Sequence, residues 1–232
     1  MRAPTVTRSR ILGDVPERRI RAYIGLGANV GDPEATLVEA VRALAALRGA
    51  RLRGVSRLYA TAPVGVTDQP EFRNAVIALE VPAGLDPESG ALAILVALKA
   101  LERAFGRRKR RRWGPRELDL DLLVFGRARI AVERPPAGRS LDVATDPAKA
   151  ANLLEVPHPA APERLFVLAP MADLVPGLTP PGWGATVETT RRRREHVEGL
   201  DAVRAVGTWD PEVKRWRTIQ PSPAAPGQAQ PR

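Results

Sequence analysis

The stretch ELDLDLLVF at residues 117–125 decides the fold of this chain of 232 residues. Its first half alternates acidic and leucine side chains, which is the period of a β-strand with one polar and one apolar face. Its second half is wholly apolar, which is typical of a strand inside a sheet. Asp119 and Asp121 therefore share one strand face, with their Cα atoms about 6 to 7 Å apart.

The segments before this strand alternate between strand and helix patterns. Strands are predicted at 22–27, 52–61 and 72–81, and helices at about 34–47 and 87–105. Each helix begins at an Asp-Pro-Glu sequence, which supplies an N-cap, a proline in the first turn and an early acid. The order β-α-β-β-α-β predicts an α+β fold of the ferredoxin-like type, with a mixed or antiparallel sheet and two helices on one face.

The same patterns predict the remaining elements and the domain boundaries. We expect Ile130–Val132 to pair with the acidic strand across Gly126, and Glu163–Asp173 to form a short helix. One domain is expected over 21–180, after a flexible leader at 1–20 and with a surface insertion at about 134–152. Residues 181–232 are predicted to be a C-terminal extension that is disordered at its end, because the composition there is rich in proline, glycine and glutamine.

Composition excludes several classes of protein. The chain has no cysteine, which excludes disulfide scaffolds, thiolate zinc sites and cysteine nucleophiles. No apolar stretch approaches the roughly 20 residues that span a bilayer, and the basic N-terminus is not followed by the apolar segment of a signal peptide. We therefore expect a cytoplasmic protein without membrane contact.

The net charge of +10 is concentrated in two clusters. Arg103–Arg116 holds eight basic and no acidic residues, and Arg191–Arg194 adds four. The rest of the chain is close to neutral, which indicates two local sites rather than a basic surface. We interpret the basic run 107–112, which joins a helix end to the acidic strand, as a loop that closes over polyphosphate. A solvated loop and a nucleic-acid patch are the alternatives.

Two motifs need to be weighed against simpler explanations. GLGANVG at 25–31 has the spacing G-x-G-x-x-x-G, which differs from the dinucleotide fingerprint, so a tight strand-to-helix turn is preferred. The two aspartates would repel each other unless a cation lies between them, and Mg²⁺ takes one or two carboxylates while leaving positions for phosphate oxygens. A solvated sheet face is the alternative. The arginines around Trp113-Gly114-Pro115-Arg116 favour a metal site that receives phosphate.

Other side chains suit a planar, phosphate-bearing ligand. His158 lies between two prolines and is the better candidate for nucleotide contact of the two histidines in the chain. Four residues flank a turn-rich loop and offer an aromatic ring and an amide to a heterocycle, although cores and turns use the same residue types. They are Thr61, Gly65, Phe72 and Asn74.

Four segments together resemble the 6-hydroxymethyl-7,8-dihydropterin pyrophosphokinase family of folate biosynthesis. They are YIGLGANVGDP, TAPVGVTDQPEFRNAV, RWGPRELDLDLLVFG and VPHPAAPERLFVLAPM. The resemblance runs from about Ala22 to Leu178 and implies a ferredoxin-like fold, in agreement with the order of elements. It also implies transfer of the β,γ-pyrophosphoryl unit of ATP to the pterin hydroxymethyl group, release of AMP, and two Mg²⁺ ions. Small-molecule substrates are then the expected partners of a monomer that binds no nucleic acid.

The resemblance implies three groups of site residues. The metal-binding residues are Asp119 and Asp121, which together with Arg107 and Arg116 form the expected catalytic set. The pterin-binding positions are Thr61, Val64, Gly65, Phe72, Asn74 and Phe166. The ATP-binding positions are Glu102, Arg107, Arg112, Trp113, Arg116, Leu122, His158 and Arg164. Whether Arg108 or Lys109 contacts an inner phosphate stays open.

Two other functions are less consistent with the residues on this strand and with the glycine spacing. An RNA-binding module of ferredoxin-like fold usually displays stacking aromatic residues on its sheet, whereas this strand displays two aspartates that would repel phosphate. A nicotinamide-dependent oxidoreductase would need the dinucleotide fingerprint whose spacing is absent. Both are less consistent with the sequence than pyrophosphoryl transfer.

Overall fold

A computed structural model describes residues 18–63, 68–106, 114–135 and 151–219. The leader before residue 18, the basic loop 107–113, most of the insertion and the tail from residue 220 lie outside the described residues. The strands are β1 (Arg19–Ala28), β2 (Arg51–Val55), β3 (Leu58–Thr61), β4 (Phe72–Pro82), β5 (Asp119–Phe125), β6 (Ile130–Glu133), β7 (Asn152–Val156), β8 (Val203–Asp210) and β9 (Arg215–Thr218). The helices are α1 (Pro33–Ala45), α2 (Pro87–Ala104), α3 (Leu165–Leu174) and α4 (Val187–Glu198), with 3-10 turns at Ala161–Glu163 and Leu200–Ala202.

The first two helices begin where the sequence predicts. The side chain of Asp32 accepts a hydrogen bond from the Ala35 N–H at 3.0 Å, and that of Asp86 accepts one from the Ser89 N–H at 2.8 Å. Each bond satisfies one backbone donor that the first turn of a helix leaves unpaired. At the other end of α2 the chain turns at Gly106, whose φ of +81° favours glycine.

The main sheet is antiparallel and has the order β5-β1-β4-β3-β8-β9. The long strand β4 pairs with β1 on one side, and with β3 and then β2 on the other. The predicted strand 52–61 is therefore two strands, because the chain bends at Ser56, whose hydroxyl accepts the Val76 N–H at 2.9 Å. At the start of the fold, β1 begins two residues before the predicted domain boundary.

The predicted pairing of Ile130–Val132 with the acidic strand is wrong. These residues form β6, which pairs with β7 in a separate two-stranded sheet. Beside the predicted turn at Gly126, the His158 N–H donates to the Leu123 carbonyl at 2.9 Å, so the segment that follows β7, and not β6, bonds to β5 there. Farther along β5, Glu102 accepts the Leu120 N–H at 2.8 Å and Lys99 donates to the Leu120 carbonyl at 3.1 Å, so two α2 side chains occupy the strand edge at Leu120.

Helices cover both faces of the main sheet. On one face, α1 and α2 pack their apolar side chains, among them Leu37 and Leu98, against Ile24 and Ile77. These are the two helices that the sequence places on one face. The other face is covered over part of its length by α3 and α4, whose Met171 and Val187 join Tyr23, Val76 and Leu123 in a second apolar cluster. The sequence prediction left this second layer out.

The C-terminal region extends the same sheet. Strand β8 pairs with β3 and carries β9 in a hairpin, in which Trp209 and Trp216 pack edge to face with ring centroids 4.8 Å apart. Trp216 is buried, and its indole N–H donates to the Ser56 carbonyl at 2.9 Å. Across the described ranges, no helix has both the length and the apolar character to cross a membrane.

Candidate active site

The two aspartates of β5 lie opposite two glycines of β1. In the β1–β5 register Asp119 pairs with Gly27 and Asp121 with Gly25, so these four residues share one sheet face. The face is the one that α3 and α4 cover farther along the sheet. The carboxylates stay accessible, with side-chain exposures of 23% for Asp119 and 35% for Asp121.

Gly27 forms the floor of a trough that crosses three strands. Gly27 pairs with Asp119 on β5 and with Asn74 on β4. A Cβ atom on Gly27 would lie 3.2 Å from the Asn74 amide oxygen, which is closer than most side-chain carbons approach a neighbour. At the usual strand spacing, the backbones that carry the amide and the carboxylate are therefore about 10 Å apart, with only Gly27 between them. Such a trough could hold one molecule against both groups.

An amide and a hydroxyl form the far wall of the trough. The Asn74 amide nitrogen donates to the Thr61 hydroxyl at 2.8 Å, and both side chains are buried. Thr61 is in register with Phe72, which is half-buried at the start of β4. The bond fixes the orientation of the Asn74 amide. Its second N–H and its carbonyl oxygen therefore have fixed directions.

Phe166 lies in the first turn of α3, on the helix that packs on this face of the sheet. Its half-buried ring borders the second apolar cluster, and the Arg164 guanidinium carbon lies 5.7 Å from the ring centroid. This contact is within the range of a cation–π interaction. It places one predicted ATP-side residue beside one predicted pterin-side residue.

Arg116 is held next to the carboxylates by its backbone. Its guanidinium donates to the Asp119 carboxylate, and its N–H donates to the Asn29 side-chain oxygen at 2.7 Å. The Asn29 N–H returns a bond to the Arg116 carbonyl at 3.0 Å, while the Asn29 amide nitrogen donates to Gln69 and Pro70. One buried amide thus joins the loop before Phe72 to the arginine before β5.

His158 faces the second aspartate. Its Nδ1 accepts the Ala160 N–H at 3.2 Å, which places the proton of the neutral ring on Nε2. That Nε2 lies 4.0 Å from an Asp121 carboxylate oxygen. The histidine backbone is fixed as well, since its N–H donates to the Leu123 carbonyl at 2.9 Å. The ring therefore offers an N–H to a group bound beside Asp121.

Two predicted ATP-side residues do not present their side chains to the trough. Leu122 is 3% exposed and packs in the core on the opposite sheet face, because it alternates with the aspartates. Only its backbone is on the strand edge near the site. Glu102 is buried on α2, where it also pairs with Lys99 at 2.8 Å and fixes the backbone of β5 at Leu120.

Several predicted site residues lie outside the described residues. They are Val64 and Gly65 of the pterin-side loop, and Arg107, Arg112 and Trp113 of the basic loop, together with its neighbours Arg108 and Lys109. Their roles stay predictions.

Three residues that position the site were not predicted. Asn29 is predicted only as part of a turn, Lys99 interrupts the apolar pattern of α2 three residues before Glu102, and Gly27 is predicted as the last residue of the first strand, without a role between Asn74 and Asp119. The available signal was a polar residue at an element end or on an apolar face. Nothing local to these residues shows what they contact.

The two carboxylates of β5 are the oxygen donors that this face offers to a metal ion. Within the described residues no group of three or more His, Cys, Asp or Glu side chains is arranged to hold a metal by itself. The two carboxylates of β5 nonetheless fit Mg²⁺, which takes oxygen ligands and in phosphate-transfer sites uses only one or two carboxylates, with water and substrate oxygens completing its shell. The accessible trough leaves room for those oxygens.

Comparisons with known proteins agree on one family. The family model described as 7,8-dihydro-6-hydroxymethylpterin-pyrophosphokinase (HPPK) matches residues 23–176. The proteins named 2-amino-4-hydroxy-6-hydroxymethyldihydropteridine pyrophosphokinase from Methylorubrum extorquens and Pseudomonas aeruginosa are 39% and 38% identical to this chain. The aligned regions span 158 and 161 residues, which are 68% and 69% of this chain and 84% of each relative.

Solved structures support the same fold. A Plasmodium falciparum HPPK-DHPS structure with pteroate superposes with a TM-score of 0.63 at 12% identity, over 87% of this chain and 48% of that one. Another HPPK-DHPS structure, in complex with substrates, gives a TM-score of 0.61 at 13% identity over 87% and 48%. The chain therefore spans about half the length of these two structures. At this identity they show the fold alone.

These findings define the class first: the chain is an α+β enzyme, an ATP-dependent diphosphotransferase. More particularly, it belongs to the 7,8-dihydro-6-hydroxymethylpterin-pyrophosphokinase family of folate synthesis, as the sequence resemblance indicates. The RNA-binding alternative is not supported. Helix α4 and the β8–β9 hairpin lie beyond the residues that the family model matches.

Proposed function

We propose that this chain transfers the terminal pyrophosphoryl group of ATP to the hydroxymethyl oxygen of 6-hydroxymethyl-7,8-dihydropterin. In this reaction the hydroxyl oxygen bonds to the β-phosphorus, the bond between the α,β-bridging oxygen and the β-phosphorus breaks, and AMP leaves. The hydroxyl proton passes to a phosphate oxygen or to solvent. The trough between the Asn74 amide and the β5 carboxylates carries this proposal, because it would align a heterocycle with a polyphosphate.

The heterocycle binds at the Asn74 end of the trough. Phe72 and Phe166 stack on the two faces of the pterin, and the Thr61–Asn74 pair hydrogen-bonds its polar edge. In support, Asn74 and Phe72 share a strand face and the ring of Phe166 lies on the helix above that face. Val64 and Gly65 complete this end by resemblance to the family.

The phosphates bind at the aspartate end. Asp119 and Asp121 would hold Mg²⁺, which when bound neutralises the phosphate charge and aligns the transferring group. The family resemblance suggests two such ions. Arg116 exchanges its bond to Asp119 for a phosphate oxygen, and the His158 Nε2–H donates to another, since both side chains already lie at the carboxylates.

The rest of the ATP-side set plays supporting roles. The Arg164 guanidinium, which contacts the Phe166 ring, binds the nucleotide. Glu102 holds the backbone of the carboxylate strand in place. The backbone of Leu122 is available to the base. Arg107, Arg112 and Trp113 are assigned by resemblance, with Arg107 on the transferring phosphates.

No side chain is required as a strong base in this mechanism. In-line placement of the hydroxyl and stabilisation of charge on the phosphates account for most of the acceleration in phosphoryl transfer. The chain therefore needs rigid placement more than a tuned acid or base. The bonds of Asn29 to Arg116 and of Asn74 to Thr61 serve this purpose.

We also propose that the first six elements form a ferredoxin-like unit. With β2 and β3 counted as one strand, the order β5-β1-β4-β2/β3 corresponds to 4-1-3-2 in that unit, and α1 and α2 lie on one face. The cytoplasmic location, the monomeric state and the absence of nucleic acid among the partners stay predictions.

The test is a nucleotide assay. The protein is incubated with ATP, Mg²⁺ and 6-hydroxymethyl-7,8-dihydropterin, and the nucleotides are separated by chromatography. AMP that forms only when the pterin is present supports the proposal, while ADP as the product, or turnover independent of the pterin, contradicts it. Omission of Mg²⁺ should reduce AMP formation to background.

A further inference from the structure

Asp173, in the last turn of α3, receives an unusual number of hydrogen bonds from β3 and the residue before it. The Tyr59 hydroxyl lies 3.0 Å from both carboxylate oxygens, and the Arg57 N–H donates at 3.0 Å. The Arg57 guanidinium adds a bond at 2.6 Å and also lies over the Tyr59 ring. Only 15% of the Asp173 side chain is exposed. One carboxylate thus attaches the end of a helix to the sheet at several points.

The two donors to Asp173 keep their protons at neutral pH. Burial first, and then the neighbouring Asp173 charge, raise the pKa of the Tyr59 hydroxyl, which therefore stays protonated and donates throughout the neutral range. The Arg57 pKa is also raised, chiefly by its bond to Asp173. Neither donor is lost at the pH at which an enzyme assay is run.

The geometry connects this cluster to the proposed pterin site. Phe166 and Asp173 are seven residues apart in α3, which is two helical turns, so they lie on nearly the same helix face about 10 Å apart. Tyr59 and Thr61 are two residues apart in β3 and share one strand face. The helix face that is bonded to the strand at one end therefore bears the aromatic ring at its other end.

A cleft borders α3 beside the Asp173 cluster. It has a volume of about 380 Å³, lies between α3, α4 and β8, and has Arg57, Tyr59 and Asp173 in its wall. The opposite side of α3 packs in the second apolar cluster, where Val167 and Met171 are buried. Apolar packing therefore holds one side of the helix on the sheet, and the hydrogen bonds to Asp173 hold the side that faces the cleft.

We propose that Asp173 is a positioning residue for the pterin site, which holds α3 on β3 so that Phe166 lies at stacking distance above the Thr61–Asn74 pair. Loss of the bonds to Asp173 lets the first turn of α3 shift and widens the gap between the rings of Phe166 and Phe72. This inference rests on the proposed function, because it presumes that the pterin binds between those rings.

The experiment compares three single variants by steady-state kinetics. Tyr59→Phe removes one donor with little change of shape, Asp173→Asn removes the charge, and Asp210→Asn is the matched control. Asp210 is also about as buried, at 13% exposed, and paired with an arginine, but it lies in the β8–β9 hairpin. We expect KM for the pterin to rise about tenfold in both cluster variants while KM for ATP stays within about twofold of the parent. The control should change neither.

A double-variant series separates positioning from a general structural role. If Asp173 acts through Phe166, Asp173→Asn should weaken pterin binding in the parent but add nothing in a Phe166→Ala background. Calorimetric titration of the pterin with a non-hydrolysable ATP analogue present measures both. Equal loss in the two backgrounds, or a loss of thermal stability without a change in pterin affinity, overturns the inference.

The same titration distinguishes failure of the positioning role from failure of the proposed pterin site. A weakened Phe166→Ala variant beside an unaffected Asp173→Asn variant leaves the pterin site in place and rejects the positioning role. An unaffected Phe166→Ala variant rejects the proposed pterin site itself and this inference with it. Tyr59→Phe keeps the test valid if Asp173→Asn does not fold.

Discussion

At the scale of single residues, the site depends as much on missing side chains as on those present. Gly27 lies between Asp119 and Asn74, so these two side chains are separated by bare backbone, whereas the Leu123 side chain packs over Gly25. A longer side chain at Gly27 would fill the space between the carboxylate and the amide. The chemistry of this face therefore comes from alternating small and polar residues on adjacent strands.

Gly27 offers a direct test of the trough. We expect Gly27→Ala to lower kcat/KM for the pterin by about tenfold or more, because a Cβ atom 3.2 Å from the Asn74 oxygen displaces that amide. Gly177→Ala is the control, since a Cβ atom there meets nothing within 4 Å. Unchanged kinetics in Gly27→Ala would show that no substrate crosses β1 at this point.

The aspartates should be essential for activity and dispensable for folding. Asp121→Asn is expected to abolish most turnover, while thermal stability without Mg²⁺ stays the same or rises slightly because one like charge is removed. Asp119→Asn also loses its partly exposed ion pair with Arg116, so we expect its free energy of unfolding to fall by no more than about 1 kcal/mol. Asp201→Asn, on the exposed 3-10 turn, is the control. Near-normal turnover of either site variant at limiting Mg²⁺ would refute the metal assignment.

The two phenylalanines should act on pterin binding rather than on stability. Phe72→Ala or Phe166→Ala is expected to weaken pterin binding by about 1 to 3 kcal/mol, by analogy with base stacking on aromatic rings, with ATP binding unchanged. If they are core residues instead, truncation should lower the free energy of unfolding by about 3 to 5 kcal/mol. Calorimetry and denaturant unfolding of the same variants decide between the two. Their half-buried rings favour the first outcome.

At the scale of elements, charged side chains make contacts that a neighbouring strand or an apolar core would otherwise supply. Lys99 and Glu102 of α2 occupy the free edge of β5 and so fix the strand that carries both aspartates. On α4, Arg191 and Arg192 both pair with Glu188 at helical spacing. This arrangement makes α4 a helix whose solvent face is a network of ion pairs.

The ion pairs of α4 predict a dependence on acid. The bond to Arg191 first, and then that to Arg192, lower the pKa of Glu188 from 4.5 to about 2. A carboxyl group whose pKa is lower in the folded state than in the unfolded state stabilises the fold at every pH above the unfolded-state pKa. For Glu188 this stabilisation is lost as the pH falls from 4.5 toward 2. We expect the melting temperature of Glu188→Gln to decrease less steeply with falling pH over that range than the melting temperature of the parent. Glu212→Gln, at the exposed hairpin turn, should keep the parent slope, and an unchanged slope in Glu188→Gln would contradict the assignment.

At the scale of the whole molecule, one antiparallel sheet connects the family core to the C-terminal residues. Strand β8 pairs with β3, which would otherwise be a four-residue edge strand beside the site. Trp216 reaches back to the bend at Ser56 and joins the core cluster that α1 and α2 build. The residues after the family match are thus part of the same sheet.

Two truncations should separate the hairpin from the tail. A chain that ends at Gln220 should keep its activity and melting temperature, because residues 221–232 have no apolar period to bury. A chain that ends at Gly199 should be much less stable, since it loses β8, β9 and Trp216. Trp216→Ala alone is expected to cost about 3 to 5 kcal/mol in denaturant unfolding. If the chain that ends at Gln220 does not fold, the interpretation of residues 221–232 as a dispensable tail is refuted.

The sequence alone was sufficient for most elements of the core and for the class of reaction. Strict alternation around Asp119 and Asp121, and the Asp-Pro-Glu starts of α1 and α2, are local signals, since each depends on backbone period and capping within a few residues. The family motifs then indicated pyrophosphoryl transfer, which the comparisons bear out.

Only the tertiary structure decided which residues meet across the chain. The pairing of β6 with β7, the role of Gly27 between Asn74 and Asp119, and the attachment of α3 through Asp173 all join residues distant in sequence. Local patterns state which face a side chain occupies but not which neighbour it finds there, because strand order and helix placement are set by the burial of the whole core. For that reason the sequence determined the chemistry of this enzyme, and the fold determined its geometry.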